Sequence, residues 1–145
     1  MMARKKRGDE ALDALRGVPL LAGLNDKQLR LLAGQAKEVG FSAGKVICEE
    51  GERGTGLHVI LEGQTKVQIG GRTRGKMGPG AFFGEIALLD GGPRSATVVA
   101  ETDGRLLSIP FWNFKSIIKE YPAVALKMLE EVAVRLREAD KSLQR

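Results

Sequence analysis

The spacing of apolar residues divides the chain into helical ends and a strand-rich middle. Near the N-terminus, the segment "GDEALDALRG" begins with acids and places leucines three residues apart, which predicts a short helix that stops at Gly17. The segment "DKQLRLLAGQ" has the same helical spacing, and Asn25 precedes it as a side chain that can cap its first turn. Two short helices are therefore predicted before the strands.

The middle of the chain, from Glu38 to Ile109, contains short β-branched runs separated by glycines. The predicted strands are "KVICEE", "GLHVILEG", "QTKVQIGG", "ATVVAE" and "RLLSIP". The pair Glu62-Gly63 between the second and third runs predicts a tight hairpin. Many short strands at this spacing are typical of a β-barrel or a jelly roll.

Two further helices are predicted from about residue 111 onward. "FWNFKSIIKEYP" reads as a helix that ends before Pro122, and the remaining residues form one long helix. Its apolar positions follow a 4,3,4,3,4 rhythm through Ala125, Leu129, Val132, Leu136, Ala139 and Leu143. Two interpretations stay open: the stripe packs on the barrel, or it pairs weakly with the same helix of a second copy.

The charge distribution separates a tail from a single domain. "RKKR", from Arg4 to Arg7, precedes any periodic apolar pattern, so residues 1–8 are predicted to be a flexible basic tail and residues 9–145 one domain. The net charge of +5 would permit attraction to nucleic acid or anionic lipid. We expect a solvated tail here and no nucleic-acid partner.

Several classes of protein are excluded by what the sequence lacks. A single cysteine, Cys48, cannot form an intrachain disulfide, and no zinc-binding Cys/His spacing occurs, so no metal site and no cofactor are expected. No apolar run reaches the roughly 20 residues of a membrane span, and no signal peptide is present, which predicts a cytoplasmic protein. His58 is the only histidine and no catalytic set can be assembled around it, so we predict that the chain is not an enzyme.

The segment "FFGEIALLDGGPRSATVVA", residues 82–100, carries the candidate chemistry. Gly84 allows a sharp exit from a strand, and "EIALLD" predicts a short helix whose first N–H groups can bind an anion. Arg94 follows the Gly-Gly-Pro turn, and a guanidinium offers a fork of donors that suits two oxygens of one phosphate. Glu85 would repel that phosphate, so it is expected to accept a hydrogen bond from a neighbouring hydroxyl.

A ligand that carries both a sugar hydroxyl and a compact monoanionic phosphodiester would satisfy both charges, which describes a cyclic nucleotide. The alternative is that Glu85 and Arg94 form an ion pair with each other across the turn, an arrangement that is common on protein surfaces. The residue spacing alone leaves both interpretations open.

"FGEIALL" followed by "GGPRSATV" resembles the phosphate-binding cassette of the cyclic-nucleotide-binding domain family, and the resemblance extends over about residues 18–140. It implies a mainly β fold with flanking helices. In detail, this is a β jelly-roll barrel (a double-stranded β-helix) with N-terminal helices, a short helix in the phosphate-binding cassette and a long C-terminal lid helix. Residues 9–145, including the C-terminal helices from about residue 111, would form this domain.

The same resemblance implies roles for individual residues. Glu85 would accept a hydrogen bond from the ribose 2′-hydroxyl, and Arg94 would bind the cyclic phosphate. The site would be lined by Gly84, Ile86, Ala87, Ser95 and Ala96. Arg135 or Arg137 on the lid helix would reach the purine. Serine at position 95 can serve either base, and we expect cAMP in preference to cGMP.

The predicted function is therefore that of a cyclic-nucleotide sensor whose C-terminal helices move when the ligand binds. Its partners would be the nucleotide, an effector protein that the sequence does not identify, and a weakly bound second copy. The alternative is a ligand-free barrel that serves protein association or dimerisation. Met1 favours a stand-alone sensor over a fragment of a longer protein.

Overall fold

The helices lie towards the two ends of the chain and the strands lie between them. The structure is a computed structural model that describes residues 7–53, 56–84 and 92–143. Its helices are α1 (Arg7–Arg16), a 3-10 helix (Pro19–Leu21), α2 (Asp26–Gln35), α3 (Phe111–Glu120) and α4 (Pro122–Leu143). Its strands are β1 (Lys37–Phe41), β2 (Val46–Cys48), β3 (Gly56–Glu62), β4 (Thr65–Ile69), β5 (Arg72–Met77), β6 (Phe82–Phe83), β7 (Thr97–Ala100) and β8 (Gly104–Pro110).

Contacts between residues divide the chain into a strand unit, Gln35–Phe114, and a helical unit, Met1–Gly34 with Lys115–Arg145. In the strand unit, one sheet has the order β1-β8-β3-β6 and the other has the order β2-β7-β4-β5, with antiparallel pairing throughout. Phe41 and Leu106 of the first sheet and Ala100 of the second form one buried cluster. The predicted mainly β jelly roll with flanking helices is confirmed.

The predicted hairpin at Glu62-Gly63 is wrong. Glu62 ends β3 opposite Arg105 of the first sheet, whereas Thr65 begins β4 opposite Ala100 of the second sheet. Gly63 has a φ of +97°, which favours glycine, and the short turn carries the chain from one sheet to the other. Turn residues mark a change of direction, but they do not specify the partner of the next strand.

The sequence pattern also missed strands. β5 is exposed along most of its length and alternates arginine, lysine and small residues, so it lacks the apolar face by which strands are recognised. It pairs with β4 and stands at the end of its sheet, where basic side chains are common. β1 is largely exposed and β6 spans two residues, so neither gives a clear alternation of apolar and polar positions.

In the helical unit, α1 and α4 both contact the 3-10 helix, and Leu20 and Leu21 of that helix are buried. The predicted cap of α2 is confirmed, since the Gln28 N–H donates to Asn25 Oδ1 at 2.9 Å. The Asn25 N–H donates in turn to Gln28 Oε1 at 3.0 Å. α1 begins at Arg7 and therefore includes the last two residues of the tail predicted over residues 1–8.

The long helix α4 buries a different face from the predicted stripe. Val124 and Met128 are buried, whereas Leu129 and Leu136 of the stripe are 63% and 62% exposed. Ala125 and Val132 of the stripe are half-buried, and both interpretations of the stripe, packing on the barrel and pairing with a second copy, stay predictions. Among the described helices, none combines the length and hydropathy needed to cross a bilayer.

Candidate functional site

Arg94 is buried in the strand unit, with 8% of its surface exposed. Its backbone is held on both sides, because its N–H donates to Glu52 O at 2.7 Å and its carbonyl accepts from Gly51 N at 2.9 Å. Its Nη2 donates to the carbonyl of Gly56 at 3.0 Å. A buried charge requires hydrogen bonds to offset its loss of water. The bond to Gly56 serves this purpose and directs the guanidinium towards the start of β3.

Gly84 explains how the guanidinium comes so close to the backbone. A Cβ atom at this position would overlap Arg94 Nη1 and the Gly56 carbonyl oxygen, and would lie 2.9 Å from Arg94 Cζ. The φ of Gly84 is +80°, a conformation that side chains disfavour. Glycine therefore meets two requirements at once: the turn out of β6 and the room for Arg94.

Two aromatic rings extend the site from Arg94. The Phe83 ring centroid lies 6.0 Å from Arg94 Cζ, at the limit of a cation–π contact. Phe83 also pairs across the strands with His58, and the two ring centroids are 5.1 Å apart with a tilt of 32°. The side chains of His58, Phe83 and Arg94 thus form one connected cluster.

His58 is uncharged in this environment. Burial, and to a smaller extent the positive charge of Arg94, lowers its pKa from 6.5 to about 4. Its Nδ1 atom is buried and makes no hydrogen bond to any described residue. At neutral pH the imidazole therefore adds no charge to that of Arg94.

A cavity of about 230 Å³ opens beside this cluster. It is lined by Cys48, Val67, Met77, Phe83, Gly84, Pro93, Arg94, Ser95, Ala96 and Val98. Arg94 and exposed Ser95 make one wall of the cavity cationic and polar. The side chains of the second sheet make another wall apolar. This combination suits a ligand with an anionic group attached to an apolar or aromatic body.

The structure brings together four of the residues predicted for the site: Gly84, Arg94, Ser95 and Ala96 all line the cavity. Glu85, Ile86 and Ala87, with the predicted cassette helix, lie outside the described residues. Arg137 is exposed on α4 in the helical unit, and the side chain of Arg135 is outside the described set.

Sequence reasoning missed the apolar lining and the aromatic cluster. Cys48, Val67 and Met77 lie on three different strands, β2, β4 and β5, so no single short motif contains them. Burial raises the pKa of the Cys48 thiol, and Arg94 partly opposes that change. Cys48 therefore contributes a neutral thiol to the cavity wall.

Among the described residues, no group of histidine, cysteine and acidic side chains is arranged to hold a metal ion.

Comparison with known proteins identifies the sequence family to which this geometry corresponds. A family model for the cyclic nucleotide-binding domain matches residues 38–121. The cyclic AMP receptor protein of Thermus thermophilus is 35% identical over 134 residues, which cover 89% of this chain and 62% of that protein. A cyclic nucleotide-gated potassium channel of Mesorhizobium japonicum is 38% identical over 108 residues, which cover 74% of this chain and 30% of the channel.

Solved structures give the same result. The crystal structure of the N-terminal domain of a transcriptional regulator from Streptomyces coelicolor matches with a TM-score of 0.82 at 33% identity. The match covers 90% of this chain and 95% of that domain. The chain thus spans less than two thirds of the two full-length relatives and nearly all of the isolated domain.

Proposed function

Since the chain belongs to the cyclic nucleotide-binding domain family, we propose that it binds a cyclic nucleotide, cAMP in preference to cGMP, in the cavity beside Arg94. The observation that carries the proposal is the buried Arg94 guanidinium in the wall of a cavity that is otherwise largely apolar. The proposed activity is reversible binding, without chemical conversion of the ligand.

The phosphate is proposed to bind at Arg94. A guanidinium keeps its charge at any ordinary pH and can donate two parallel hydrogen bonds to one phosphodiester. The surroundings support this role. His58 is neutral, and the positive charge beside it, which helps to lower its pKa, belongs to Arg94. Gly84, Ile86, Ala87, Ser95 and Ala96 would surround the phosphate, and Glu85 would accept from the ribose 2′-hydroxyl.

The preference for cAMP is proposed from a relative, since Ser95, which is exposed at the cavity, can serve either base through its hydroxyl. The similar protein from Thermus thermophilus is a cyclic AMP receptor. Arg135 or Arg137 of α4 is proposed to contact the purine.

Calorimetric titration tests the binding proposal. The purified chain is titrated with cAMP, with cGMP, and with 5′-AMP as a control that lacks the cyclic phosphodiester. Arg94→Ala removes the guanidinium, and since charged hydrogen bonds contribute about 1.5–3 kcal/mol each, losing two should weaken binding by roughly two to four orders of magnitude. Arg72→Ala, at an exposed arginine of β5, is the matched control and should bind like the parent.

Two results would contradict the proposal. No saturable heat with either cyclic nucleotide would leave the alternative of a barrel that serves protein association. Parent-like binding by Arg94→Ala would place the phosphate elsewhere in the molecule.

We further propose that ligand binding changes the position of α3 and α4. A ligand can shift such an equilibrium only by its difference in affinity for the two states. Trp112, the only tryptophan, lies on α3 and is 60% exposed, so its fluorescence can report a change in that helix. Saturating cAMP should change the Trp112 emission in the parent and leave it unchanged in Arg94→Ala, and an unchanged emission in the parent would contradict the movement.

Two partners are proposed in addition to the nucleotide: an effector protein and a second copy of this chain. The second copy is supported by Leu129 and Leu136, which are exposed and lie seven residues apart on α4. Sedimentation velocity across a concentration series tests it. Reversible self-association that Leu136→Glu abolishes would support pairing through α4, and a monomer at all concentrations would contradict it.

A further inference from the structure

Strand β3 carries both Gly56 and His58, which lie two residues apart. The Gly56 carbonyl accepts a hydrogen bond from Arg94 Nη2, and His58 packs against Phe83, whose ring also faces Arg94. The Arg94 guanidinium therefore has two neighbours: the Gly56 carbonyl oxygen, which accepts from Nη2, and the Phe83 ring, against which His58 packs.

His58 has a feature that its packing alone does not require. A buried polar atom without a hydrogen bond lowers stability, and an apolar side chain of similar size would fill the same space without that loss. Nδ1 of His58 is buried and forms no hydrogen bond with the described residues. The imidazole does supply a flat, neutral ring beside Phe83, which a branched aliphatic side chain would not.

We propose that His58 is a positioning residue for ligand binding: through Phe83, its ring holds the Arg94 guanidinium in the orientation that faces the cavity. This inference rests on the proposed function, because the orientation of Arg94 matters only if an anion binds there. The ring must be neutral for this role, since a protonated His58 would repel the guanidinium. Among the described residues, Arg94 is the charged side chain that acts on His58 electrostatically.

A pair of volume-conserving variants tests the inference. His58→Leu removes the flat ring and His58→Phe keeps it, and both side chains are compatible with a half-buried strand position. Titration with cAMP should show affinity reduced about three- to tenfold in His58→Leu, and unchanged within about twofold in His58→Phe. Equal affinities for the two variants would overturn the positioning role.

A double-mutant cycle separates positioning from a general structural effect. In the Arg94→Lys background the ammonium has no plane to be oriented, so His58→Leu should weaken cAMP binding by less than about twofold. The same loss in both backgrounds would show that His58 acts on the fold and not on Arg94, and would overturn the inference.

The contact with Arg94 is also measurable without ligand. His58 is the only histidine, so its ring proton signals in NMR give its pKa without assignment of other histidines. Arg94→Met should raise that pKa towards 6.5, because it removes the neighbouring positive charge and keeps the burial. Saturating the parent with cAMP should raise it too, since the bound phosphate offsets the charge of Arg94.

The cAMP titration and the pKa measurement of His58 together distinguish failure of the proposed function from failure of the positioning role. If cAMP does not bind the parent but Arg94→Met still raises the pKa of His58, the proposed function fails and the link between His58 and Arg94 is supported. If cAMP binds and neither Arg94→Met nor the ligand changes that pKa, the positioning role fails while the proposed function stands.

Discussion

Gly84→Ala tests whether the absence of a side chain at position 84 is what gives the Arg94 guanidinium its place. Gly84 has a φ of +80°, and an added Cβ would overlap Arg94 Nη1 and the carbonyl oxygen of Gly56. The backbone oxygen cannot move without shifting β3, so we expect the guanidinium to be displaced. The substitution then acts on the phosphate site without changing any charged residue.

The loss of folding stability in Gly84→Ala can be separated into two parts. An alanine in the left-handed region is disfavoured by about 1–2 kcal/mol. Loss of the hydrogen bond from Arg94 Nη2 to Gly56 O adds about 1.5–3 kcal/mol, because the donor is charged. Together they predict a loss of about 2.5–5 kcal/mol from a total stability that is typically about 5–15 kcal/mol.

Gly71→Ala is the matched control. Gly71 has a φ of +79°, and no described heavy atom lies within 4 Å of the added Cβ. Gly71→Ala should therefore lose only the stability that alanine costs in the left-handed region, about 1–2 kcal/mol. The difference between the variants, about 1.5–3 kcal/mol, corresponds to a Tm difference of roughly 3–12 °C in a thermal unfolding experiment.

Titration with cAMP completes the comparison, since Gly84→Ala should also weaken binding and Gly71→Ala should not. Equal Tm values for the two variants would refute the argument that Gly84 makes room for Arg94. A lower Tm for Gly84→Ala with parent-like affinity would show that the guanidinium can bind the ligand from its displaced position.

Three further predictions concern stability. Because the folded-state pKa of His58 is about 4 against an unfolded value near 6.5, the unfolded chain binds the extra proton first. The stability that His58 contributes is thus complete above pH 6.5 and falls by about 3 kcal/mol as the pH drops to 4. Urea unfolding at several pH values should show this loss in the parent relative to His58→Phe; parallel pH curves would contradict it. Asn25→Ala removes the α2 cap and should cost about 1 kcal/mol by the same assay, whereas Asn25→Ser should recover most of it. Arg105→Ala breaks ion pairs of 3.0 Å to Glu38 and 2.8 Å to Glu62 and should cost about 0.5–1 kcal/mol. That cost should shrink at high salt, and a salt-independent loss would show that packing dominates instead.

Much of the fold could be predicted because its signals are local. The cap formed by Asn25 and Gln28 involves residues three apart, and the apolar runs of β3 and β8 are visible in any short window of sequence. The glycine and arginine of the candidate site were likewise predicted from one short segment. What such windows do not contain is the partner of each strand, which is why the predicted hairpin at Glu62-Gly63 was wrong.

The sequence by itself thus determined the helical and strand-rich segments, the resemblance to a family, and the residue types that can bind a phosphate and a sugar hydroxyl. Their physical basis is short-range: periodicity, capping and the chemistry of single side chains. The tertiary structure decided which walls enclose the cavity, that His58 is neutral, and that Leu129 and Leu136 stay exposed. These properties depend on burial and on contacts between residues far apart in the chain, and no local pattern encodes them.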